Sequence, residues 1–373
     1  MRVPLADLQT QHKELRPELD KAYNEVMESC QFILGPNVTA FEKETAALSG
    51  TKFGLGVNSG TDALLLSLLA LGIGAGDEVI TTPFTFVATA ETICLAGATP
   101  IFADIDAATF NLDAKSVRSK ITPRTKAIMP VHLFGQTPDM AAFAQISAEH
   151  NIPIIADGAQ AIGASFNGKP IGELAPLTTL SFFPTKNMGA CGDAGMILTD
   201  DADLAEQVRL LRFHGSGGGY IYKKIGYCTR LDELQAAFLR VKLRYLTQWN
   251  DSRRANAASY QEGLSGLEEH LILPTEIEGG HHVYHQYTLR VLNGRRDELL
   301  AYLKENGIGC GVYYPLALHL QEAYNSLGYK DNDLPISEET CREVLSIPIH
   351  QGLEDDQVGF VIDTLRAFFQ ENT

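Results

Sequence analysis

The feature that most constrains the fold is an alternation. Over the first two-thirds of the chain, stretches with apolar residues at helical spacing alternate with short β-branched runs. Helical patterns cover residues 12–30, 38–48, 61–71 and 139–150. Strand-like runs cover 78–81, 99–103, 127–131, 152–156, 178–182 and 195–199. Strands separated by helices imply a mostly parallel sheet covered on both faces. Residues 230–264 read as one long helix, because LDELQAAFLRVKLRYL keeps helical spacing with few breaks. Beyond it come strand signals at 283–291 and 311–314 and helices at 296–306 and 355–370. The expected architecture is α/β, with a large α/β unit over 1–245 and a small α+β unit over 246–373.

Charge narrows the partners. Thirty basic residues against 46 acidic ones give a net charge of −16 among 373 residues. A polyanion is repelled by nucleic acid and by anionic membranes, so neither is expected as a partner. A small anionic ligand stays open, because a few amides can hold one phosphate. The apolar run 63–73 is too short to cross a bilayer, and the charged N-terminus has no leader-like apolar segment. Cys30, Cys94, Cys191, Cys228, Cys310 and Cys341 form no C-x-x-C pair, which fits reduced thiols in a cytoplasmic protein.

Three motif-like stretches are weak. Gly54, Gly56 and Gly60 approximate a dinucleotide fingerprint, which would suit a nicotinamide-dependent oxidoreductase, but the third glycine is one residue late. Gly163, Gly168 and Lys169 have P-loop spacing, yet Pro170 stands where Ser or Thr should be, and Asn167-Gly168 reads as a hairpin turn. His281, His282 and His285 lie close together without a nearby carboxylate or thiol, and no metal is expected there.

Three other segments point to chemistry together. Residues 58–72, NSGTDALLLSLLALG, open a helix on Ser-Gly-Thr, which aims free N–H groups and a hydroxyl at one point, a cradle for phosphate. Alone this would be an ordinary N-cap. Residues 152–157 form an apolar run ending at Asp157, with Gln160 just after it; ligands bind at such strand ends, although a lone Asp there also caps helices. Residues 179–195 place Lys186 in a crowded turn after a strand, where burial lowers an amine's pKa and makes it nucleophilic; a lone lysine is more often a surface charge. Ser181 offers a further hydroxyl. A phosphate cradle, a carboxylate for a ring nitrogen and an aldehyde-capturing lysine are what pyridoxal 5'-phosphate requires.

The segments Asn58–Leu64, Val131–Gly135, Asp157–Gln160, Ser181–Asn187 and Arg230–Ala237 resemble, in order, motifs of the DegT/DnrJ/EryC1/StrS sugar aminotransferases. The resemblance runs from about Pro4 to Leu365. It implies fold type I, the aspartate aminotransferase-like fold, with a mixed, mostly parallel sheet, and a homodimer with active sites at its interface. It assigns Lys186 to the covalent link with pyridoxal phosphate, Asp157 to the ring nitrogen and Gln160 to the ring hydroxyl. Gly60, Thr61 and Ser181 would hold the phosphate, and Phe86 would stack on the ring. His285, Tyr287 and His319 would touch the substrate. Where the family has Gly-Tyr-Asn-x-Arg, this chain has Gly226-Tyr227-Cys228-Thr229-Arg230, and Cys228 is a poor donor beside Asn. The implied reaction moves an amino group from L-glutamate to a nucleotide-linked keto-sugar. The loop Phe183–Gly195 resembles the form found in members acting at C3 of a 3-keto sugar. A C4 aminotransferase and a non-catalytic regulator on the same scaffold are the alternatives.

Overall fold

The computed structural model describes residues 1–370. Helices α1 (Leu8–Ser29) and α2 (Pro36–Leu48) precede the first strand, β1 (Phe53–Val57). Strands and helices then alternate: α3 (Gly60–Ala70), β2 (Glu78–Thr81), α4 (Ala88–Leu95), β3 (Thr99–Phe102), α5 (Ala114–Lys120), β4 (Thr125–Met129), α6 (Met140–His150) and β5 (Ile155–Asp157). A hairpin of β6 (Ser165–Phe166) and β7 (Lys169–Pro170) follows, then β8 (Leu177–Ser181), β9 (Gly195–Thr199) and α7 (Ala202–Arg212). Parallel bridges Ile128–Ile154 and Val131–Asp157 join two ladders into one sheet, ordered β3-β2-β4-β5-β8-β9-β1. Only β9 in that sheet runs against its neighbours.

The helix α3 is buried from Ala63 through Leu68, on every side. A helix apolar all round must lie inside, and α3 packs between the sheet and the helices α4 and α7. Aspartates begin the outer helices: Asp113, Asp139 and Asp201 each accept two N–H groups from the first turn of α5, α6 and α7. The glycines of the supposed dinucleotide motif serve packing. A Cβ on Gly54 would sit 2.6 Å from the Glu42 carbonyl oxygen, and one on Gly56 would meet Leu231 at 2.8 Å. The Asn167-Gly168 hairpin forms as expected, with φ of 50° and 75°, the left-handed pair that a two-residue turn needs.

The single long helix expected over 230–264 is two helices, α8 (Glu233–Leu243) and α9 (Leu246–Gly263). No Pro or Gly breaks it. Tyr245 instead stacks on Trp249, with centroids 5.9 Å apart, and its hydroxyl and Arg244 both bond Glu18 of α1. Tertiary contacts turn the chain where local propensity would have continued it.

The C-terminal sheet is antiparallel, with β12 (Tyr287–Val291) between β10 (Leu271–Ile272) and β13 (Val344–Ile347). A two-residue strand, β11 (Gly280–His281), pairs instead with β6. Helices α9, α10 (Arg296–Glu305) and α12 (Asp355–Gln370) pack with the C-terminal sheet in one core, joined by Val3 from the N-terminus. The strand expected over 283–291 begins only at Tyr287. Residues 283–286 arch over the Phe134-Gly135 turn, where Val283 N–H bonds the Gly135 carbonyl at 2.9 Å and a Cβ on Gly135 would strike the Tyr284 and His285 nitrogens. The strand expected at 311–314 is reduced to one bridge, Gly311–Ser346, because Tyr313 and Tyr314 turn to pack on Phe84 and its neighbours.

Asp104 ties these parts together. It is buried, and its carboxylate accepts the N–H groups of Ile336 (3.0 Å) and Ser337 (2.9 Å) and the Ser337 hydroxyl (2.6 Å), at the start of α11 (Pro335–Glu343). Asp104→Ala leaves these donors unpaired and is expected to destabilise the protein by about 1–3 kcal/mol. Urea unfolding would show this as a lower midpoint at unchanged slope.

Candidate active site

The carboxyl ends of β5 and β8 and the start of α3 converge on a cavity of about 530 Å³. Residues from the C-terminal core, Ile347 and Ile349, and from the N-terminus, Leu5 and Ala6, close one side. Gly60, Thr61, Phe86, Asp157, Gln160, Ser181, Lys186 and His285 all line it. These residues come from five separate segments of the sequence, and the fold brings them together.

Ser59 caps α3, its Oγ accepting Asp62 N–H at 3.0 Å. The N–H groups of Gly60 and Thr61 have no acceptor among the described residues and stand at the positive end of the helix. Ser181, at the end of β8, presses so close that a Cβ on Gly60 would sit 2.7 Å from its Cβ. Glycine at 60 is what lets the serine hydroxyl and the helix N–H groups share one small volume. The Asp62 carboxylate of the same turn is occupied by the Ser59 hydroxyl at 2.7 Å, and the remaining donors suit a phosphate.

Asp157 is 4% exposed. Its Oδ2 accepts the Thr89 hydroxyl at 2.8 Å and its Oδ1 accepts Ala159 N–H at 3.1 Å. Thr85 Oγ1 lies 3.2 Å from Thr89 Oγ1 and extends the chain. Burial pushes the Asp157 carboxyl above its usual range, against the pull of Thr89, Ala159 N–H and the Lys186 charge. A cation placed against the carboxyl would restore the ionised form, as a protonated ring nitrogen requires. Gln160 is oriented at both ends: its Oε1 accepts Phe134 N–H at 2.6 Å and its Nε2 donates to the Tyr314 hydroxyl at 3.3 Å.

Lys186 follows a turn closed by its own N–H to the Phe183 carbonyl at 2.8 Å. Its ammonium has no hydrogen bond among the described residues. Burial lowers its pKa to about 8, and the Asp157 charge opposes the shift. The turn is tight enough to require glycine at 189, where a Cβ would sit 2.1 Å from the Pro184 carbonyl oxygen. Phe86 is 57% exposed and lines the cavity wall.

Two expected substrate residues lie elsewhere. Tyr287 is fully buried in the C-terminal core, its ring 5.0 Å from that of Tyr260. Its strand is buried on both faces, so alternation does not turn it toward the cavity. His319 is buried against Phe102 and Tyr329, with Nε2 3.2 Å from Glu338 Oε1. The histidine cluster is dispersed: His282 Nδ1 accepts Tyr284 N–H, while His285 faces Asn187. Sequence reasoning missed Thr89, Asn187 and the Tyr314 hydroxyl. Thr85 lies in the bend before α4 and Thr89 in its first turn, and no local pattern marked either.

A model of the DegT/DnrJ/EryC1/StrS aminotransferase family matches residues 13–366. The chain is 49% identical over 371 residues to a pleiotropic regulatory protein of Geobacillus stearothermophilus, with 99% of each covered. It is 41% identical over 364 residues to the UDP-N-acetyl-3-dehydro-alpha-D-glucosamine 3-aminotransferase of Acidithiobacillus ferrooxidans, covering 98% of this chain and 97% of the relative. Among solved structures, S. venezuelae DesV in complex with a ketimine intermediate superposes with a TM-score of 0.96, at 42% identity and 98% coverage of both chains. Motifs, cavity and likeness agree along nearly the whole length, and the chain belongs to the DegT/DnrJ/EryC1/StrS aminotransferase family.

Proposed function

We propose that the protein is a pyridoxal-phosphate-dependent aminotransferase that moves an amino group from L-glutamate to C3 of a nucleotide-linked 3-keto sugar. The observation that carries the reading is one cavity holding a buried amine of pKa about 8, a buried carboxylate and an anion cradle. The relative from A. ferrooxidans, named for 3-amination, supports the substrate class, and the ketimine in the DesV structure supports the amine-transfer chemistry.

The residues present fit the cofactor. Gly60, Thr61 and Ser181 would hold its phosphate, Asp157 its ring nitrogen, Gln160 its ring hydroxyl, and Phe86 one ring face. When bound, pyridoxal phosphate supplies an electron sink for the carbon that loses or gains a proton. Asp157 would keep a proton on the ring nitrogen, and Thr89 and Ala159 N–H hold the carboxylate in place. Lys186 would hold and move the proton at its Nζ in both half-reactions. The apolar walls from Ile347 and Ile349 exclude water from that transfer.

The test uses the purified protein. A visible band that borohydride bleaches, with the label on the Lys186 peptide, would identify cofactor and attachment. Matched 3-keto and 4-keto nucleotide sugars would then be offered with glutamate, and NMR would locate the new C–N bond. Amination at C4 alone would overturn the C3 reading. The Geobacillus relative is named a regulator, so a non-catalytic role is the second reading. Failure of single-turnover transfer from glutamate would favour it.

A homodimer belongs to the same proposal. Residues 213–227 fold back through a Ser216–Tyr222 bridge and expose Tyr220 and Ile225, each 90% accessible, beside Ile221 and Tyr222. A second copy is the occupant that family membership suggests. Cys228 is exposed near this segment and receives the Arg230 guanidinium at 3.0 Å, so the atom that departs from the family pattern is already engaged within its own chain. Ile225→Asp, present twice in a symmetric interface, is expected to weaken association by about 3–6 kcal/mol. Sedimentation would show monomer at concentrations where the parent protein is a dimer. Six unpaired thiols support a cytoplasmic setting, and no helix among the described residues is long and apolar enough to cross a membrane.

A further inference from the structure

Asn187 follows Lys186 and is 2% exposed. Its Nδ2 donates to Asn250 Oδ1 and to the Val283 carbonyl, both at 2.9 Å, so both amide hydrogens are spent on oxygens. Asn250 is itself oriented, because its Nδ2 donates to the Ile162 carbonyl at 3.1 Å. Turning the Asn187 amide over would set its oxygen against the Val283 carbonyl oxygen, acceptor against acceptor. Asn187 Oδ1 therefore stays where it is, 3.1 Å from His285 Nδ1. An amide oxygen only accepts, so His285 Nδ1 carries the proton.

The rest of His285 is equally constrained. Arg253 donates to the carbonyls of Tyr284 (3.1 Å) and His285 (3.3 Å), which holds the backbone beneath the ring. Burial, with the Lys186 and Arg253 charges, holds the imidazole well below its ordinary pKa, so the ring is neutral. A neutral ring with its proton on Nδ1 has a lone pair on Nε2. None of the described residues bonds that nitrogen, and the ring lines the cavity. We infer that Asn187 is a positioning residue that fixes this tautomer, so that His285 Nε2 accepts a hydrogen bond from a hydroxyl of the keto-sugar.

The choice of a sugar hydroxyl rests on the aminotransferase reading and on charge. A lone pair needs a donor. A keto-sugar brings several hydroxyls, whereas glutamate brings two carboxylates, which a lone pair repels, and an amine committed to the reacting centre. His285 would thus act in one half-reaction and not the other.

The experiment uses ¹⁵N-histidine-labelled holoenzyme, with His285→Gln to assign the ring. The expected spectrum is neutral with Nδ1 protonated, and the Nε2 signal moves on addition of the nucleotide keto-sugar but not of glutamate. Asn187→Ala removes the acceptor and is expected to mix the tautomers. His285→Phe should lower kcat/KM for the keto-sugar about ten- to a hundredfold, and by clearly more than it lowers glutamate single turnover. A protonated Nε2 in the parent protein, or equal losses in both half-reactions, would overturn the inference. Absence of glutamate turnover in the parent protein would instead overturn the aminotransferase reading, and the tautomer measurement stands apart from it.

Discussion

Lys186→Ala is expected to give a folded protein whose turnover falls by at least about 10⁴-fold. Two proton transfers, one per half-reaction, rely on the same Nζ, and loss of general acid–base catalysis alone costs about 10²–10⁴-fold. Losing the covalent anchor adds to this. The fold should not suffer. The Lys186 ammonium is desolvated and makes no hydrogen bond among the described residues, so its removal relieves a desolvation cost that offsets the lost attraction to the Asp157 charge. The melting temperature of the cofactor-free variant is expected to equal or exceed that of the cofactor-free parent, as often where stability is given up for activity. The cofactor-free parent offers a second check. With its pKa near 8, Lys186 is mostly charged at pH 7 and mostly free amine at pH 9. The rate of aldehyde capture should therefore rise through pH 8 and level off above it. A rate that kept climbing to pH 10 would mean an ordinary, solvated lysine.

Much of this site was legible because its groups sit next to local signals. Asp157 and Ser181 end apolar strands, Gly60 and Thr61 open a helix, and Lys186 lies in a turn with a Pro and small residues. What was not legible is set by distant partners. Thr89 becomes part of the site only by reaching Asp157, 68 positions away, and Tyr314 only by reaching Gln160 across 154. Polarity also misleads. Tyr287 and His319 are residue types that bind sugars, yet one fills a core and the other pairs with Glu338 under an aromatic cluster. Side-chain direction there depends on how the arch over Gly135 and the segment after Tyr314 dock, which no local pattern encodes. The break at Tyr245 has the same origin, since α1 supplies Glu18 from far up the chain.

Asp157→Asn isolates the charge from the shape. The amide keeps the size of the carboxylate and one oxygen, so one of the two donors, Thr89 Oγ1 or Ala159 N–H, keeps its acceptor. Thr89 can answer the new NH₂ by rotating its hydroxyl, and the loss of stability should stay near about 1 kcal/mol. The electrostatic consequences are larger. Without a negative charge the ring nitrogen no longer holds its proton, and both half-reactions are expected to slow about 10²–10³-fold, the usual cost of removing a preorganised charge-stabilising group. Cofactor should still be retained, because Gly60, Thr61, Ser181 and Lys186 are untouched. Lys186 reports the change independently. The Asp157 charge holds its pKa up against burial, so Asn at 157 should move the midpoint for aldehyde capture below 8. Unchanged half-reaction rates and an unchanged midpoint, with cofactor fully bound, would reduce Asp157 to an anchor for Thr89 and the Ala159 turn. A lowered midpoint together with slowed transfer in both directions would place its charge where the chemistry needs it, between a buried amine and a ring that must stay protonated.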